Sequence, residues 1–137
     1  MIVVDTNIIG YLYLTSEYSE QVEVLYRKEP LWTAPLLWRS ELRNVLAYYL
    51  RKKLLSLSDA SRVMDAATGL LGGREYQVPS MYVLELVTKS SCSAYDCEFV
   101  ALAQALKTPL VTVDRQILEQ FPALAVSLDD YLAARRR

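Results

Sequence analysis

Two short apolar runs, each followed by an aspartate, constrain the fold of this chain more than any other feature of its sequence. The run IVV at 2–4 precedes Asp5, and the run LVTV at 110–113 precedes Asp114. Short runs rich in β-branched residues are typical of strands that are buried on both faces of a parallel sheet. Because ligands of such sheets bind beyond the carboxyl ends of the strands, the two aspartates are predicted to lie together at a binding edge.

The segments between these strands show helical periodicity. After Pro35, which is tolerated at a helix entrance, apolar residues recur at i, i+4, i+7, i+8 and i+11 from Trp38 to Tyr49. Another helix is predicted from an N-cap at Ser58 to the helix-breaking pair Gly72-Gly73. The remaining predicted elements are strands at 32–34 and 124–126, and helices over 7–13, 17–28, after Pro79, from an N-cap at Ser93 to Lys107, over 115–120 and over 128–134. Strands that alternate with helices predict an α/β fold, in which helices cover both faces of a mostly parallel sheet.

The length of 137 residues matches one domain, because domains most often run about 100–150 residues. We therefore expect a single domain over residues 1–137. Apolar residues make up 53% and charged residues 23% of the chain, which excludes a disordered chain and a coiled coil. No apolar run in the sequence approaches the ~18 residues of a membrane span, and Met1 leads directly into a strand, so we expect no membrane contact and a cytoplasmic location.

The complete absence of histidine limits the chemistry that this chain can perform. It excludes Ser-His-Asp and Cys-His nucleophilic sites, histidine general bases and histidine-ligated zinc. Cys92 and Cys97 have no further cysteine with which to form a soft-metal site, and we interpret them as structural thiols. None of the four glycines lies in a G-x-G-x-x-G or P-loop motif, which argues against nucleotide binding of those types.

Four carboxylates are the strongest candidates for chemistry. Asp5 and Asp114 follow strands, Asp96 lies in the first turn of a predicted helix, and Glu41 lies near the start of another helix. Each has a structural alternative, because the aspartates are also placed as helix caps and Glu41 as a solvated helix residue. Together at one sheet edge, however, carboxylates repel one another by roughly 4 kcal/mol per pair at 4 Å and an effective dielectric near 20. A divalent cation relieves this repulsion, and oxygen-only ligands favour Mg²⁺ or Mn²⁺, which promote phosphodiester hydrolysis.

The sequence around these acids resembles a known family. The segments VDTN at 4–7, SEL at 40–42, YDCEFVALA at 95–103 and VTVDR at 111–115 resemble the four acidic motifs of PIN-domain ribonucleases. Their order and spacing are also similar to those of VapC toxins from VapB–VapC toxin–antitoxin modules, over nearly the whole chain. The resemblance implies one PIN-like domain, a three-layer α/β/α sandwich around a parallel sheet of four or five strands.

The resemblance also implies an activity and partners. Asp5, Glu41, Asp96 and Asp114 are implied to bind Mg²⁺ or Mn²⁺ for endonucleolytic cleavage of RNA that leaves a 5′-phosphate and a 3′-hydroxyl. A homodimer is implied, together with an antitoxin whose C-terminal segment blocks the acidic site. Two alternatives stay open, namely a PIN-domain RNA-processing nuclease without an antitoxin and a catalytically silent PIN-like module that binds RNA or protein. The RNA target and the number of metal ions are open as well.

Polar neighbours of the acids complete the implied site. Thr6, Asn7 and Thr112 correspond to polar supports in the resembled motifs. Glu98 is a further candidate metal ligand. It lies two positions after Asp96, however, and residues at i and i+2 of a helix do not share a face.

Positive charge is distributed unevenly along the chain. Its 15 Lys and Arg against 16 Asp and Glu give a net charge of −1, whereas phosphate binding usually leaves a basic footprint. Arg39, Arg43 and Arg115 nevertheless adjoin the acidic candidates, and we expect them to contact RNA phosphates. Arg51-Lys52-Lys53 is typical of a helix C-terminus, where cations complement the helix dipole. The terminal Arg135-Arg136-Arg137 is either a solubilising end or an RNA contact.

The chain is also rich in aromatic residues, with ten tyrosines and two tryptophans. Tyr11, Tyr26, Trp38 and Tyr49 lie at helical spacing, and we interpret them as core or rim residues rather than as platforms for base stacking. Some of the aromatic residues are expected to serve a protein interface, where Tyr and Trp are enriched.

Overall fold

A computed structural model of the chain describes residues 1–135, so that Arg136 and Arg137 of the basic terminus lie outside the described residues. Five strands form one sheet in the order β3-β2-β1-β4-β5, and every pairing is parallel. The strands are β1 (Ile2–Val4), β2 (Trp32–Pro35), β3 (Glu75–Tyr76), β4 (Leu110–Thr112) and β5 (Ala125–Ser127). The two runs that precede the aspartates thus form β1 and β4, which are neighbours at the centre of the sheet.

Eight helices connect and flank the strands within residues 1–135. They are α1 (Thr6–Tyr13), α2 (Ser19–Lys28), α3 (Leu37–Arg51), α4 (Leu57–Leu71), α5 (Ser80–Thr88), α6 (Ala94–Leu106), α7 (Arg115–Gln120) and α8 (Leu128–Arg135). In the described part of the chain, no helix has both the length and the apolar character that a membrane span requires.

The contacts between elements divide the molecule into three layers. On one face of the sheet, α1 packs against α2 and α3, α3 packs against α4, and α2 packs against α8. On the other face, α6 lies across β1, β2 and β4 and is covered by α5. This division follows from right-handed crossovers, because the chain moves first from β1 towards β3 and then back to β4 and β5. The predicted α/β/α sandwich with a parallel sheet is confirmed.

The core explains why the central strand β1 lacks polar residues. All three residues of β1 are completely buried, since α1 and α6 contribute to the layers above and below them. Trp32, Trp38 and Phe99 are the largest side chains in the same buried cluster. Burial of apolar surface stabilises the fold by roughly 25 cal/mol per Å², so these large side chains contribute heavily to folding.

Two local predictions about helix starts were wrong. The N-cap of α4 is Ser56, whose Oγ accepts the backbone N–H of Asp59 at 3.0 Å, and Ser58 lies inside the helix. Pro35 is the last residue of β2 rather than the entrance of α3, which begins at Leu37. Proline is tolerated at this strand end because β2 forms no further ladder bond there that needs the missing N–H.

The edge strand β3 was not predicted from the sequence. It has only two residues, and it pairs with the end of β2 through Ala34 and Pro35. The preceding Arg74 fixes its position, because the backbone carbonyl of Arg74 accepts the Thr33 hydroxyl at 2.7 Å while its Nε donates to the carbonyl of Trp32 at 2.9 Å. The chain turns towards β3 through Gly72, whose φ of 46° lies in the left-handed region that favours glycine.

Candidate active site at the carboxyl edge of the sheet

Asp5 lies directly after the central strand β1 and is held by the neighbouring strand. Its backbone N–H donates to the carbonyl of Val111 at 3.2 Å, which extends the pairing of β1 with β4. Although Asp5 occupies the N-cap position of α1, its side chain makes no capping hydrogen bond. Its Oδ2 instead accepts the hydroxyl of Thr112 at 2.8 Å. The Thr112 hydroxyl therefore ties this carboxylate to the neighbouring strand β4.

Thr112 joins the two aspartates that follow strands. Its Oγ1 donates to Asp5 and also accepts the backbone N–H of Asp114 at 3.0 Å. The Thr112 side chain is completely buried, so both hydrogen bonds are shielded from water. Asp114 is in turn the N-cap of α7, where its Oδ1 accepts the backbone N–H of Ile117 at 3.1 Å. One buried hydroxyl thus fixes the positions of Asp5 and Asp114 relative to each other.

Glu41 reaches the site from the second turn of α3. Its Oε1 accepts the hydroxyl of Thr6 at 2.7 Å, and Thr6 is a buried residue at the start of α1. This bond links residues 35 positions apart and places the carboxylate beside the helix that follows Asp5. Thr6 supports Glu41 in the way that Thr112 supports Asp5.

Asp96 lies in the first turn of α6 and forms a capping box with Ser93. The backbone N–H of Asp96 donates to the Ser93 hydroxyl at 3.1 Å, and hydrogen bonding by Ser93 lowers the pKa of the Asp96 carboxyl, against the larger effect of burial. Asp96 and Asp114 therefore both take part in helix capping, as the structural alternative predicted. Capping does not exclude a second role, because a carboxylate has about four lone-pair sites and a cap occupies only one of them.

The four acids influence one another electrostatically. Burial raises the pKa of Asp5 above its ordinary value, and the charges of Asp96 and Asp114 raise it further, while the Thr112 hydrogen bond opposes the shift. Burial likewise raises the pKa of Glu41, to which Asp5 and Asp96 add. The pKa of Asp96 is raised by burial first and by Asp114 second. Desolvated like charges at one sheet edge account for all three directions.

Residues 1–135 supply no cation to this cluster. Among residues 1–135, none of the four carboxylates forms an ion pair with Lys, Arg or the N-terminus. In the same described residues, no three His, Cys, Asp or Glu side chains stand together at the spacing of a formed metal site. Hydroxyl bonds and helix caps hold the acids individually, and repulsion opposes closer approach. Their donor set consists only of oxygen, which fits hard cations such as Mg²⁺ and Mn²⁺.

The remaining predicted neighbours differ in how they relate to the acids. Thr6 and Thr112 are buried and hydrogen-bonded to them, whereas Asn7 is exposed at the start of α1. Glu98 is half-buried, and its charge raises the pKa of Glu41. The Glu98 side chain also lines a groove between α5 and α6, so it lies on the rim of the cluster.

The cysteines behind the cluster have the structural character that we expected. Cys92 and Cys97 are buried and free. Burial raises the pKa of both thiols, with a smaller contribution from the Asp96 carboxylate. They therefore stay protonated at neutral pH and do not supply thiolate ligands.

Arg39 is bound to a carboxylate that the sequence analysis did not single out. Its Nη2 donates to Glu75 Oε1 at 3.0 Å, its Nε donates to the same carboxylate at 3.1 Å, and the indole Nε1 of Trp38 donates to Glu75 as well. This cluster ties α3 to the edge strand β3. No local pattern indicates the pair, because its members lie 36 residues apart.

The other two predicted phosphate contacts are exposed. Arg43 donates to the Ser40 hydroxyl one turn earlier, at 3.2 Å. Arg115 lies at the start of α7 and lines a shallow pocket with Tyr18 and Asp129, on the β5 side of the site. The two cations thus lie on opposite flanks of the acidic cluster, on α3 and α7 respectively.

Comparisons with known proteins agree with this fold. A family model described as PIN domain matches residues 2–124. Ribonuclease VapC3 from Pyrobaculum aerophilum is 33% identical over 127 residues, which represent 90% of this chain and 96% of that protein. The range matched by the family model includes all four acidic residues of the cluster.

Solved structures share the fold at lower identity. PAE2754 from Pyrobaculum aerophilum has a TM-score of 0.76 and 20% identity, over 97% of this chain and 87% of that one. A chain of a toxin–antitoxin complex from Klebsiella pneumoniae has a TM-score of 0.69 and 16% identity, over 93% of this chain and 98% of that one. Both matches extend over nearly the full sheet and its two helical layers.

Proposed function

The chain belongs to the PIN-domain family, and from this premise we propose that it is a metal-dependent endoribonuclease acting as the toxin of a type II toxin–antitoxin pair. The observation that supports the proposal best is the environment of Asp5. Its carboxylate is desolvated, faces two other aspartates and receives a hydroxyl from Thr112 but no cation from the described residues. An acid in this environment is suited to an external divalent cation.

The residues around that cation have distinct roles in the proposed mechanism. Asp5 and Asp96 would hold the principal ion, and Glu41 and Asp114 would complete or extend the site. A bound Mg²⁺ or Mn²⁺ supplies a nucleophile at neutral pH and stabilises charge on the attacking and leaving oxygens of the phosphodiester.

The hydroxyls of Thr6 and Thr112 orient two of these carboxylates before any ligand binds. Each donates to a single carboxylate oxygen, so the other oxygen of Glu41 and of Asp5 stays available for coordination. Asn7 would support the acidic site as a polar neighbour, and the exposed Arg43 and Arg115 would contact the RNA backbone. Without histidine in the chain, proton transfer depends on solvent and on these carboxylates.

The proposed partners are an antitoxin and a second copy of the chain, with action in the cytoplasm. A structural neighbour comes from a toxin–antitoxin complex, which supports the first partner. Exposed apolar side chains support a protein interface on the layer formed by α5 and α6, since Met81 is 65% and Leu84 55% exposed on α5.

Incubation of the purified protein with a pool of RNA tests the proposed activity. We expect cleavage with Mg²⁺ or Mn²⁺, none with EDTA, and 5′-phosphate termini on the products. The Asp96→Asn variant keeps the capping bond through its backbone N–H, so it is expected to fold and to lose cleavage. Metal-independent cleavage, or full activity of Asp96→Asn, contradicts the proposal.

A further inference from the structure

One face of α3 continues from the acidic cluster towards the far end of the helix. Tyr48 and Lys52 follow Glu41 at i+7 and i+11. At about 100° per residue, both side chains lie within about 20° of the direction of Glu41 around the helix axis. The distance from Glu41 to Lys52 along the axis is about 16 Å at 1.5 Å per residue.

Tyr48 presents an exposed aromatic ring on this face. It is 56% exposed, and it stands edge to face with the half-buried Tyr49, with ring centroids 5.8 Å apart and an interplanar angle of 78°. The Nζ of Lys52 lies 5.8 Å from the centroid of the Tyr48 ring. An exposed ring is thus supported by a half-buried neighbour and adjoins a cation.

Three consecutive cations lie at the end of α3, and one of them, Lys52, adjoins this ring. Arg51, Lys52 and Lys53 are all exposed, and none of them forms an ion pair within residues 1–135. Complementing the helix dipole requires cations only in the last turn, whereas Lys53 lies beyond it with a φ of 58°. The helix-terminal role expected from the sequence therefore does not account for the whole cluster.

We propose that Tyr48, Arg51, Lys52 and Lys53, which we call the α3 tract, bind single-stranded RNA that extends from the active site. This inference rests on the proposed function. Proteins that bind single strands combine cations for the backbone with aromatic rings for the bases. The tract has both, and it starts on the same helix face as Glu41. Its local charge is opposite to that of phosphate, although the whole chain has a net charge of −1.

A second exposed tyrosine offers a matched control. Tyr82 on α5 is 52% exposed, nearly as much as Tyr48, but it lies on the opposite helical layer and lines a pocket with the acidic Glu85 and with Gln104. It lacks an adjoining cluster of cations. A comparison of the two tyrosines therefore separates an effect of the α3 tract from a general effect of removing a surface ring.

Direct binding is the first test. The probe is a fluorescein-labelled, mixed-sequence single-stranded RNA of roughly 12 nucleotides, titrated with the protein in EDTA so that it is not cleaved. Tyr48→Ala is expected to raise the Kd at least about fivefold, the effect of one lost stacking contact, and Tyr48→Phe is expected to keep the wild-type value. Tyr82→Ala is expected to change nothing.

Salt dependence tests the cations. Lys52→Ala is expected to lower the slope of log Kd against log salt concentration by about 0.7, the value for one phosphate contact on a single strand. Lys89→Ala, at the end of α5, is expected to leave the slope unchanged. An unchanged slope for Lys52→Ala, or an unchanged Kd for Tyr48→Ala, overturns the inference.

Cleavage kinetics separate this inference from the proposed function. On the same RNA with Mg²⁺, Tyr48→Ala is expected to raise KM and to keep kcat, while cleavage of a dinucleotide is unaffected. Wild-type protein that binds RNA without cleaving it contradicts the proposed function alone. Normal cleavage with no effect of the tract variants contradicts the tract alone.

A protein segment is the competing occupant, because Leu54 and Leu57 are also exposed beyond the tract. If Tyr48→Ala keeps its RNA affinity but no longer copurifies with a coexpressed partner, the α3 tract is a protein interface and the inference is wrong.

Discussion

Two half-buried carboxylates at the same edge of the sheet have opposite environments. Glu75, on the edge strand β3, accepts hydrogen bonds from the guanidinium of Arg39 and from the indole of Trp38. Asp5, after the central strand β1, accepts one hydroxyl, from Thr112, and faces two further aspartates. The chain compensates the first charge and leaves the second uncompensated among the described residues.

This difference separates a structural acid from a functional one. The ion pair of Glu75 holds α3 against β3, and only 11% of its side chain is exposed. Burial without a cation raises the pKa of Asp5 instead, so its ionised form destabilises the fold. Natural chains tolerate such local destabilisation mainly at functional sites. The four variants or conditions below test whether the contrast holds.

The largest effect is expected for Asp5→Asn. The amide removes a proposed metal-binding oxygen and a desolvated charge at almost constant volume, so we expect RNA cleavage to fall by about 10²–10³-fold. The thermal midpoint is expected to stay the same or to rise, because repulsion from Asp96 and Asp114 is relieved. Cleavage assays and thermal unfolding followed by circular dichroism measure both quantities. A fully active variant removes the basis for calling Asp5 functional.

The next largest effect is expected for Thr112→Val. The substitution keeps the shape of a buried side chain and deletes the hydroxyl that joins Asp5 to the N–H of Asp114, so we expect activity to fall roughly 10- to 100-fold. Thr108→Val is the matched control, because the buried Thr108 hydroxyl has no partner among the described residues. It is expected to keep activity and stability. Equal behaviour of the two variants argues against a positioning role for Thr112.

Glu75→Gln tests the structural side of the comparison. The substitution removes the charge that faces Arg39. Because 40% of the Arg39 side chain is already exposed, water partly replaces the lost partner. We expect the free energy of unfolding to fall by about 1–2 kcal/mol, measured by urea denaturation, with RNA cleavage unchanged. A loss of cleavage without a loss of stability reverses the assignment of the two acids.

The smallest effect concerns pH and metal together. Burial raises the pKa values of Asp5, Glu41 and Asp96, so the folded protein binds protons more tightly than the unfolded chain. The free energy of unfolding therefore decreases as pH rises from the unfolded values near 4 through the raised values. Mg²⁺ offsets this loss where the acids are ionised. We expect it to raise Tm by roughly 3–5 °C near pH 7.5 and by less near pH 5.

A metal effect that is equal at both pH values contradicts that last expectation. The control is Asp5→Asn, in which Mg²⁺ is expected to shift Tm less at either pH. Both measurements use thermal unfolding of the full chain.

The central part of the fold was predictable because its signals are local. The apolar runs that form β1 and β4 and the periodicity of α3 identify buried faces directly. The N-cap of α4 was predictable as well but was assigned wrongly, since Ser56 has Asp59 at capping-box spacing whereas Ser58 has Ser61. The two-residue strand β3 was not predictable, because its only signal is pairing with residues about 40 positions earlier.

The same limit applies to the site. The positions of Asp5 and Asp114 after strands predict that they meet, and the first turns of α3 and α6 bring Glu41 and Asp96 to the same edge. The bonds that hold them depend on sheet register and on packing between helices, which no local pattern specifies. The ion pair of Arg39 with Glu75 also depends on such packing. Arg39 was predicted to contact RNA, and this ion pair gives it a structural role.

The hydrogen bond from Thr112 to Asp5 joins residues that are 107 positions apart. During synthesis the chain emerges from its N-terminus, so Asp5 leaves the ribosome long before β4 exists to pair with β1. A nascent chain, or a product terminated before residue 110, contains Asp5, Glu41 and even Asp96 without the hydroxyl or Asp114. Completion of the site therefore waits until β4 has been synthesised, and products that end before residue 110 contain only part of the acidic cluster.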